Sequence, residues 1–425
     1  MSETSQRRGR RTVARHGELS APSPLSRLLR VVGIAMACVM VAGLGVGVYA
    51  YWDLSSAFAA NSVELEGQES TPPDIGELVG EKGVDLLLTG IDICEWDTHE
   101  RYGDRCPSNP AAYGEDGRQL QAGLNDVNLL VHISPEPRKI TAIAFPRDLM
   151  VATPECTDPN TGNVTYESSY NMINNTYAAG GLACVAKTID TLTTKYDPEL
   201  AIDYAATITW DGVIEITNAI GGVEVCVAQT IDDVEAGNLY LEGGQTHNLQ
   251  GEQALAFLRA RKAIADGSDL GRISNQQVYM SGLARKLMSD EVLTNPSTLL
   301  SLARTTVTNV DPSAQLTPVT LVQIAMAAKD VPLSDIVFLQ YPIGADPNNS
   351  NRVVPNETAA AEMFEAIAAN RSLAPQSTDG TIDDSIDASG ETETPAPDAT
   401  ETPEAGTEVL APGRTALDES CANPE

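Results

Sequence analysis

Short apolar runs alternate with amphipathic segments between residues 83 and 370. Apolar runs bounded by glycine, proline or charged residues predict strands, and apolar positions at helical spacing predict helices. The predicted strands are 84–89, 127–133, 139–145, 201–210, 223–228 and 336–341. The predicted helices are 171–196 with a break at two glycines, 213–220, 253–261, 274–288, 300–309, 321–329 and 359–369. This alternation indicates an α/β fold, and we expect an αβα sandwich with a central mixed sheet.

The pattern is different near the N terminus, where residues 31–52 form an uncharged run of 22 residues. A helix of that length extends about 33 Å and can cross a hydrocarbon core of about 30 Å. Seven arginines against two glutamates in residues 1–30 predict that this basic segment is cytoplasmic. We therefore expect a single-pass membrane protein whose remaining residues are extracellular. A cleaved secretory signal is the alternative, although its apolar core is usually only about 7–15 residues long.

The segments on either side of 83–370 lack the pattern of a packed domain. Residues 53–82 have no sustained periodicity and contain two adjacent prolines, so we predict a stalk. Residues 371–425 carry thirteen acidic residues against two arginines and are rich in Ser, Thr and Pro, which predicts a disordered tail. The formal net charge of −32 excludes a broad basic groove, and we expect no nucleic-acid partner.

Six of the seven cysteines lie outside the predicted membrane helix, which contains Cys38. An even number in an oxidising compartment favours disulfides. We favour the pairs Cys94–Cys106 and Cys156–Cys184, which leave Cys226 and Cys421 over and could tie the end of the tail back. Zinc is the competing interpretation, but the chain has no C-x-x-C pair and only four histidines.

Common catalytic signatures are absent from the sequence: it has no G-x-x-x-x-G-K-[ST], H-E-x-x-H or G-x-S-x-G motif. His132 and His247 are isolated and favour structural roles. Charged residues instead lie where predicted strands and helices end, the position at which α/β sheets collect ligands. These residues are Asp92, Asp126, Arg147, Asp148, Arg259, Arg261, Asp269, Arg272 and Gln276.

This set of side chains fits a phosphate site that is assisted by a metal ion. Asp92 and Asp126 can hold Mg²⁺, which takes a few carboxylate oxygens together with substrate phosphate. The four arginines can bind phosphate oxygens in a bidentate manner. The alternative is that these residues form surface salt bridges, with Asp269 and Arg272 as a helix-capping pair.

Seven ordered motifs resemble those of the LytR–CpsA–Psr family of cell-envelope enzymes, in its actinobacterial type. They are Gly90-x-Asp92, Asn125-Asp126, FPRD (145–148), INNTYxxGG (173–181), AIGGVEV (219–225), LxGxxALxFLRxR (249–261) and DLGRxxxQQ (269–277). The resemblance covers residues 83–370 and includes the predicted single N-terminal anchor.

The resemblance implies a transferase that moves a glycopolymer from a polyprenyl-pyrophosphate carrier to peptidoglycan and forms a phosphodiester. Asp92 and Asp126 would then bind Mg²⁺ on the pyrophosphate. The four arginines and Gln276 would contact phosphate oxygens, and Asp269 would orient the arginines or accept the proton of the attacking hydroxyl. Arg147, Arg272 and Asp269 are therefore the expected catalytic residues.

The chain departs from the family pattern at two positions, and two other functions stay open. Many relatives carry an arginine shortly after the first aspartate, where this chain has GIDICEWD, and Asn275 replaces the usual arginine before the final Gln-Gln. The alternatives are a metal-dependent pyrophosphatase acting on lipid-linked pyrophosphates, and a non-enzymatic envelope regulator. The sequence does not name the polymer.

Overall fold

The computed structural model describes residues 52, 55–56, 58–60, 62–65, 82–121, 123–159, 161–260, 269–293, 295–376 and 408–422. Its contacts divide the chain into two compact units, Met1–Asp53 and Leu54–Glu425. The predicted cytoplasmic segment 1–30 lies outside the described residues, as does the predicted membrane segment 31–52 apart from Trp52. None of the helices that the structure describes is both long enough and apolar enough to span a membrane.

The strands of the larger unit are β1 (Val84–Ile91), β2 (Asn125–Ile133), β3 (Ile140–Phe145), β4 (Met150–Thr153), β5 (Cys156–Thr157), β6 (Val164–Thr165), β7 (Ser168–Met172), β8 (Tyr204–Ile208), β9 (Val223–Val227), β10 (Ile231–Asp233), β11 (Leu239–Leu241), β12 (Gln245–Leu249), β13 (Val310–Pro312), β14 (Ile336–Gln340), β15 (Ile343–Ala345), β16 (Val353–Pro355), β17 (Leu373–Gln376) and β18 (Glu408–Thr415). The helices are α1 (Thr176–Thr193), α2 (Trp210–Ala219), α3 (Glu252–Arg259), α4 (Asp269–Leu287), α5 (Asp290–Leu293), α6 (Pro296–Asn309), α7 (Pro318–Ala328) and α8 (Glu357–Ala368).

Eight strands form a central mixed sheet in the order β13-β8-β1-β2-β3-β14-β18-β17. β1 pairs with β2 in an antiparallel manner and with β8 in parallel, so both kinds of pairing occur around the central strand. Successive side chains of β1 face opposite sides of the sheet. Leu87 therefore packs in the core with α1 and α8, whereas Leu86 packs in the core with α4, α6 and α7. This arrangement confirms the predicted αβα sandwich.

Several predicted elements are confirmed close to their expected positions. β1, β2, β3 and β14 match predicted strands within about two residues, and α2, α3, α6, α7 and α8 match predicted helices. The predicted break in α1 is also present, because Gly180 and Gly181 leave helical geometry and Gly181 has φ of 63°. The predicted strand 223–228 exists as β9, but it pairs with β12 in a separate two-stranded sheet.

The prediction of an unpacked stalk over 53–82 is wrong for its described part. Phe58 and Leu65 are 2% and 7% exposed and pack in the two cores of the sandwich. Val63 forms a parallel bridge with Ser313. Isolated apolar residues of this kind fill gaps in a core without producing any period along the chain, which explains why the pattern did not reveal them.

The prediction of a disordered tail over 371–425 is also wrong for its described residues. β18 pairs with β14 in an antiparallel manner, and β17 pairs in parallel with β18, so the tail supplies two strands of the central sheet. The acidic composition of the whole segment hides the short run Val409-Leu410-Ala411, which lies within β18. Residues 377–407 lie outside the described residues.

The six extracytoplasmic cysteines form three pairs, as expected from the sequence. The sulfur atoms are 1.95 Å apart in Cys94–Cys106 and 1.99 Å apart in Cys156–Cys184. The remaining pair, Cys226–Cys421, has a sulfur separation of 1.93 Å and joins positions 195 residues apart. The third pair ties the end of the tail to β9.

Candidate functional site

A cavity of about 510 Å³ lies at one edge of the central sheet. Its lining includes six of the eight site residues predicted from the sequence. These six are Asp92, Asp126, Arg147, Arg259, Arg272 and Gln276. Arg261 lies outside the described residues, and α4 begins at Asp269, whose side chain is also outside them.

The topology of the sheet explains why residues distant in sequence meet here. β1 ends at this edge, and because β2 runs antiparallel to β1, β2 begins there. β3 runs antiparallel to β2, so its C-terminal end and the following Arg147 return to the same edge. β8 is parallel to β1, which places Thr209 and Trp210 beside them. The cavity is therefore assembled from the ends of four neighbouring strands.

Asp92 and Asp126 form the acidic part of the cavity. The Oδ1 atom of Asp92 accepts a hydrogen bond of 2.5 Å from the backbone N–H of Leu124. Burial raises the pKa of Asp92, and the negative charge of nearby Asp126 raises it further. The two carboxylates are thus close enough to repel each other, which is the situation that a bound cation relieves.

Asn125 fixes the start of β2 and hence the position of its neighbour Asp126. Its buried side-chain amide donates to the Asn128 side chain at 2.9 Å and to the Ile173 carbonyl at 3.1 Å, and its oxygen accepts from the Tyr177 N–H at 3.0 Å. A buried amide with several partners permits little movement. This network accounts for the asparagines of the N-D and I-N-N motifs in structural terms.

Arg147 links the two acidic motifs of the site. Its Nη1 atom donates to Asp126 Oδ1 at 2.9 Å, and its Nε atom lies 3.9 Å from the neighbouring Asp148 carboxylate. Asp148 in turn accepts from Arg352 Nη1 at 3.3 Å. The F-P-R-D motif thus places one guanidinium in the cavity and uses the following carboxylate to hold it.

Arg259, at the C-terminal end of α3, lies against the indole of Trp210. The Arg259 Cζ atom is 4.2 Å from the centroid of the Trp210 ring, a cation–π contact. Burial lowers the pKa of Arg259, and the positive charge of Arg105 lowers it further. The contact with the ring leaves the edge of the guanidinium available for an anion.

Arg272 and Gln276 reach the cavity from α4. They are four residues apart and therefore lie on one face of the helix. Arg272 is buried, and Gln276 donates from Nε2 to the Leu258 carbonyl at 3.1 Å, which ties α4 to α3. The sequence prediction of a loop over 262–273 is wrong for residues 269–273, which are helical. Buried Asn275 is not part of the cavity lining.

The sequence was then compared with known proteins and solved structures. A model described as the LytR_cpsA_psr family matches residues 79–369. The chain belongs to the LytR–CpsA–Psr family. TagT of Bacillus subtilis (strain 168), named a polyisoprenyl-teichoic acid–peptidoglycan teichoic acid transferase, is 26% identical over 295 residues, which cover 68% of this chain and 76% of TagT.

Two other similar proteins agree with this assignment. A TagU of Enterococcus faecalis (strain ATCC 700802 / V583) with the same type of name is 23% identical over 284 residues, covering 65% of this chain and 78% of TagU. The crystal structure of protein gbs0355 from Streptococcus agalactiae has a TM-score of 0.51 and 21% identity, covering 70% of this chain and 92% of that chain. The last likeness shows that the fold is shared.

The cavity of this LytR–CpsA–Psr member includes residues that the sequence analysis missed. Arg105, Trp210, Asp233 and Glu235 all line it. Arg105 directly precedes Cys106, so the cysteine pairing was the one sequence signal that could have placed it near Asp92. Together with the predicted residues they give the described lining four guanidinium groups and four carboxylates.

The carboxylates can be tested against the magnesium site expected for the family. Among the described residues, no group of three or more His, Cys, Asp and Glu side chains could hold a metal ion on its own. Magnesium is usually bound by one or two protein carboxylates together with substrate phosphates. The mutually repelling pair Asp92 and Asp126 fits that requirement, although Asp126 is also bonded to Arg147.

Proposed function

We propose that this chain is a membrane-anchored extracytoplasmic transferase that moves a glycopolymer from a polyprenyl-pyrophosphate carrier to peptidoglycan. The observation that carries the proposal is one cavity in which a carboxylate pair faces four guanidinium groups. Curated relatives of the same family are named polyisoprenyl-teichoic acid–peptidoglycan teichoic acid transferases. The polymer of this chain is a glycopolymer of that general class.

The reaction exchanges one bond to phosphorus for another. A hydroxyl of the peptidoglycan acceptor attacks the phosphorus that carries the glycopolymer, and the bond from that phosphorus to the bridging oxygen breaks. Polyprenyl phosphate leaves, a phosphodiester forms, and the hydroxyl proton passes to a base. Asp269, which begins α4 one turn before Arg272, is the proposed base.

The residues of the cavity match what phosphoryl transfer requires, namely positioning and neutralisation of charge. Arg147, Arg259 and Arg272 would bind phosphate oxygens, with Arg261 and Gln276 as further contacts. Asp92 and Asp126 would hold Mg²⁺, which when bound would neutralise charge on the pyrophosphate. Asp126 would then exchange part of its bond with Arg147 for the metal, which frees that guanidinium for the substrate.

The N-terminal sequence supports a location at the cytoplasmic membrane. The uncharged segment 31–52 would be a single transmembrane helix, and the arginines of residues 1–30 would keep the N terminus in the cytoplasm. The catalytic unit would then be extracellular, where the lipid-linked polymer meets peptidoglycan. The three cysteine pairs support an oxidising compartment.

Attachment of polymer to peptidoglycan by the purified full chain tests the proposal. Lipid-linked donor is supplied with Mg²⁺, with and without peptidoglycan. We expect attachment that Asp126→Ala and Arg147→Ala reduce by at least about a hundredfold, because each removes a charge from the transition-state environment. Asp335→Ala and Arg138→Ala, which lie outside the cavity lining, are the matched controls.

Two outcomes of the same experiment would contradict the proposal. Release of free polymer at the same rate whether or not peptidoglycan is present would indicate a pyrophosphatase. Full attachment by Asp126→Ala and Arg147→Ala would show that the cavity is not the active site. Removal of Mg²⁺ with a chelator should abolish attachment, and its restoration on adding the ion back would separate metal loss from unfolding.

A further inference from the structure

The segment between Asp92 and Asp126 carries a loop closed by the pair Cys94–Cys106. Within it, His99–Arg105 forms a 3₁₀ helix that ends one residue before Cys106. Both cysteines are buried, at 2% and 5% exposure, and form a small apolar cluster with Tyr113. The loop therefore has a packed centre of its own.

This disulfide loop is fastened to the start of α2 through Asp211. The Asp211 carboxylate accepts hydrogen bonds from Thr98 at 2.5 Å, from Arg101 Nη1 at 3.1 Å and from the Tyr102 hydroxyl at 3.1 Å. The Tyr102 ring also packs 4.9 Å from the ring of Trp210, which carries Arg259 on its own ring. The loop is thus rigidly attached beside the cavity.

Arg105 is the loop residue with a guanidinium that lines the cavity. Its Nη2 atom donates to the Glu235 backbone carbonyl at 2.8 Å, and this acceptor is neutral. After burial, the charge of Arg105 is the largest cause that lowers the pKa of Arg259. Two guanidinium groups therefore repel each other across the same space, and an anion bound between them would relieve that repulsion.

Cysteine pairing places Arg105 where a residue close to Asp92 in sequence would otherwise be needed. Cys94 comes two residues after Asp92, and the Cα atoms of Cys94 and Cys106 are 5.7 Å apart. Consecutive Cα atoms are about 3.8 Å apart, so position 105 cannot lie farther than about 10 Å from position 94. The segment after Asp92 itself has no arginine before Arg101.

We propose that the Cys94–Cys106 loop supplies Arg105 to the cavity as an additional phosphate-binding residue, which grips the donor's pyrophosphate together with Arg259. The inference rests on the proposed function and adds a ligand contact to it. The pair Cys94–Cys106 has a positioning role, because it holds the loop end that carries Arg105.

Binding of geranylgeranyl pyrophosphate to the purified full chain with Mg²⁺ tests this inference separately from catalysis. We expect Arg105→Ala to weaken binding about ten- to hundredfold, as the loss of a hydrogen bond between charged groups would. Arg105→Lys should recover only part of the affinity, because an ammonium cannot form the bidentate contact. Arg138→Ala, remote from the cavity, is the control for loss of one positive charge.

A double-mutant cycle tests the role of the disulfide. Cys94→Ser/Cys106→Ser should weaken binding to a similar degree, and adding Arg105→Ala to that variant should produce little further loss. Unchanged affinity of Arg105→Ala, with wild-type binding intact, would overturn the inference and leave the proposed function standing. Absence of any binding by the wild-type chain would instead contradict the proposed function.

Discussion

Asp190 is a half-buried carboxylate in α1 that stabilises the chain in one protonation state more than in the other. Its Oδ1 atom accepts a hydrogen bond of 2.8 Å from the Ile202 N–H. Burial raises the pKa of Asp190 to about 6, and the nearby charges of Asp85 and Asp203 contribute to the rise. The folded protein therefore binds a proton more tightly here than the unfolded chain does, for which the ordinary value is 3.8.

The sign of the resulting pH dependence follows from linkage. Between about pH 4 and pH 6 the folded state holds more protons at this site, so the contribution of Asp190 to stability falls as pH rises through that range. Asp190→Asn keeps an oxygen acceptor without a charge. We expect it to raise the free energy of unfolding at pH 8 by about 2 kcal/mol more than at pH 4.

Urea denaturation at the two pH values measures this difference. Asp97→Asn, at an exposed position, is the matched control, since it removes one negative charge from the surface. An Asp190→Asn effect of equal size at both pH values would mean that the carboxylate is ionised throughout, contrary to the expectation.

At the level of single residues, the candidate site was largely accessible from the sequence. Asp92, Asp126 and Arg147 lie directly at strand ends, so a correct strand prediction was enough to bring them together. Arg105 could not be found in this way, because its place depends on the closure of a disulfide loop. Trp210 was also missed, because its contact with Arg259 joins two helices that are more than 30 residues apart.

Among the helices, α1 depends on a two-glycine break for its place beside a disulfide. A Cβ atom at Gly180 would lie 2.9 Å from the Cβ of Cys156 and 3.0 Å from the Cβ of Cys184. Gly181 has φ of +63°, which favours glycine. The break therefore lets α1 bend past the Cys156–Cys184 pair.

Alanine substitution should separate the two requirements of this break. We expect Gly180→Ala to lower the free energy of unfolding by about 1–3 kcal/mol through overpacking, and Gly181→Ala to lower it by about 1 kcal/mol through backbone strain. Gly344→Ala, with open space around it, is the control. Thermal and urea unfolding provide the readout, and a Gly180→Ala variant as stable as the control would show that α1 can shift away from the disulfide.

Elements were predictable from sequence to the extent that their patterns are local. β1, β2 and β3 follow one another along the sheet, and short-range periodicity was sufficient to predict all three. β18 pairs with β14 although about 70 residues separate them, and nothing local distinguishes Glu408–Thr415 from the acidic segment before it. Burial of Phe58 depends on tertiary packing in the same way.

For the whole molecule, the C-terminal segment connects the sheet to the helix that carries part of the cavity. The Arg285 side chain of α4 donates to the carbonyl groups of Ala416 and Asp418 at 2.8 and 3.0 Å. Ser281, also on α4, donates to the Thr415 carbonyl at 3.3 Å. α4 carries Arg272 and Gln276, so support by the tail extends to the cavity.

A chain that ends at residue 407 should therefore lose both stability and substrate affinity. It would lack β18 and the Cys226–Cys421 pair, and the β14 edge containing Phe338 would be exposed. The pair alone closes a loop of 195 residues, and its removal by Cys226→Ser/Cys421→Ser should lower the free energy of unfolding by about 2–4 kcal/mol. Truncation at 407 should cost more, since it also removes the β14–β18 ladder.

Urea unfolding and geranylgeranyl pyrophosphate binding measured on the same preparations would distinguish support of the fold from support of the site. A chain that ends at Ala422 is the control, since it keeps β18 and Cys421. If the tail acts through α4, the double-serine variant should bind the pyrophosphate more weakly even at temperatures where it is fully folded. Wild-type affinity in the folded double-serine variant would confine the tail to stabilising the sheet, because the β14–β18 pairing would then suffice to hold α4 in place.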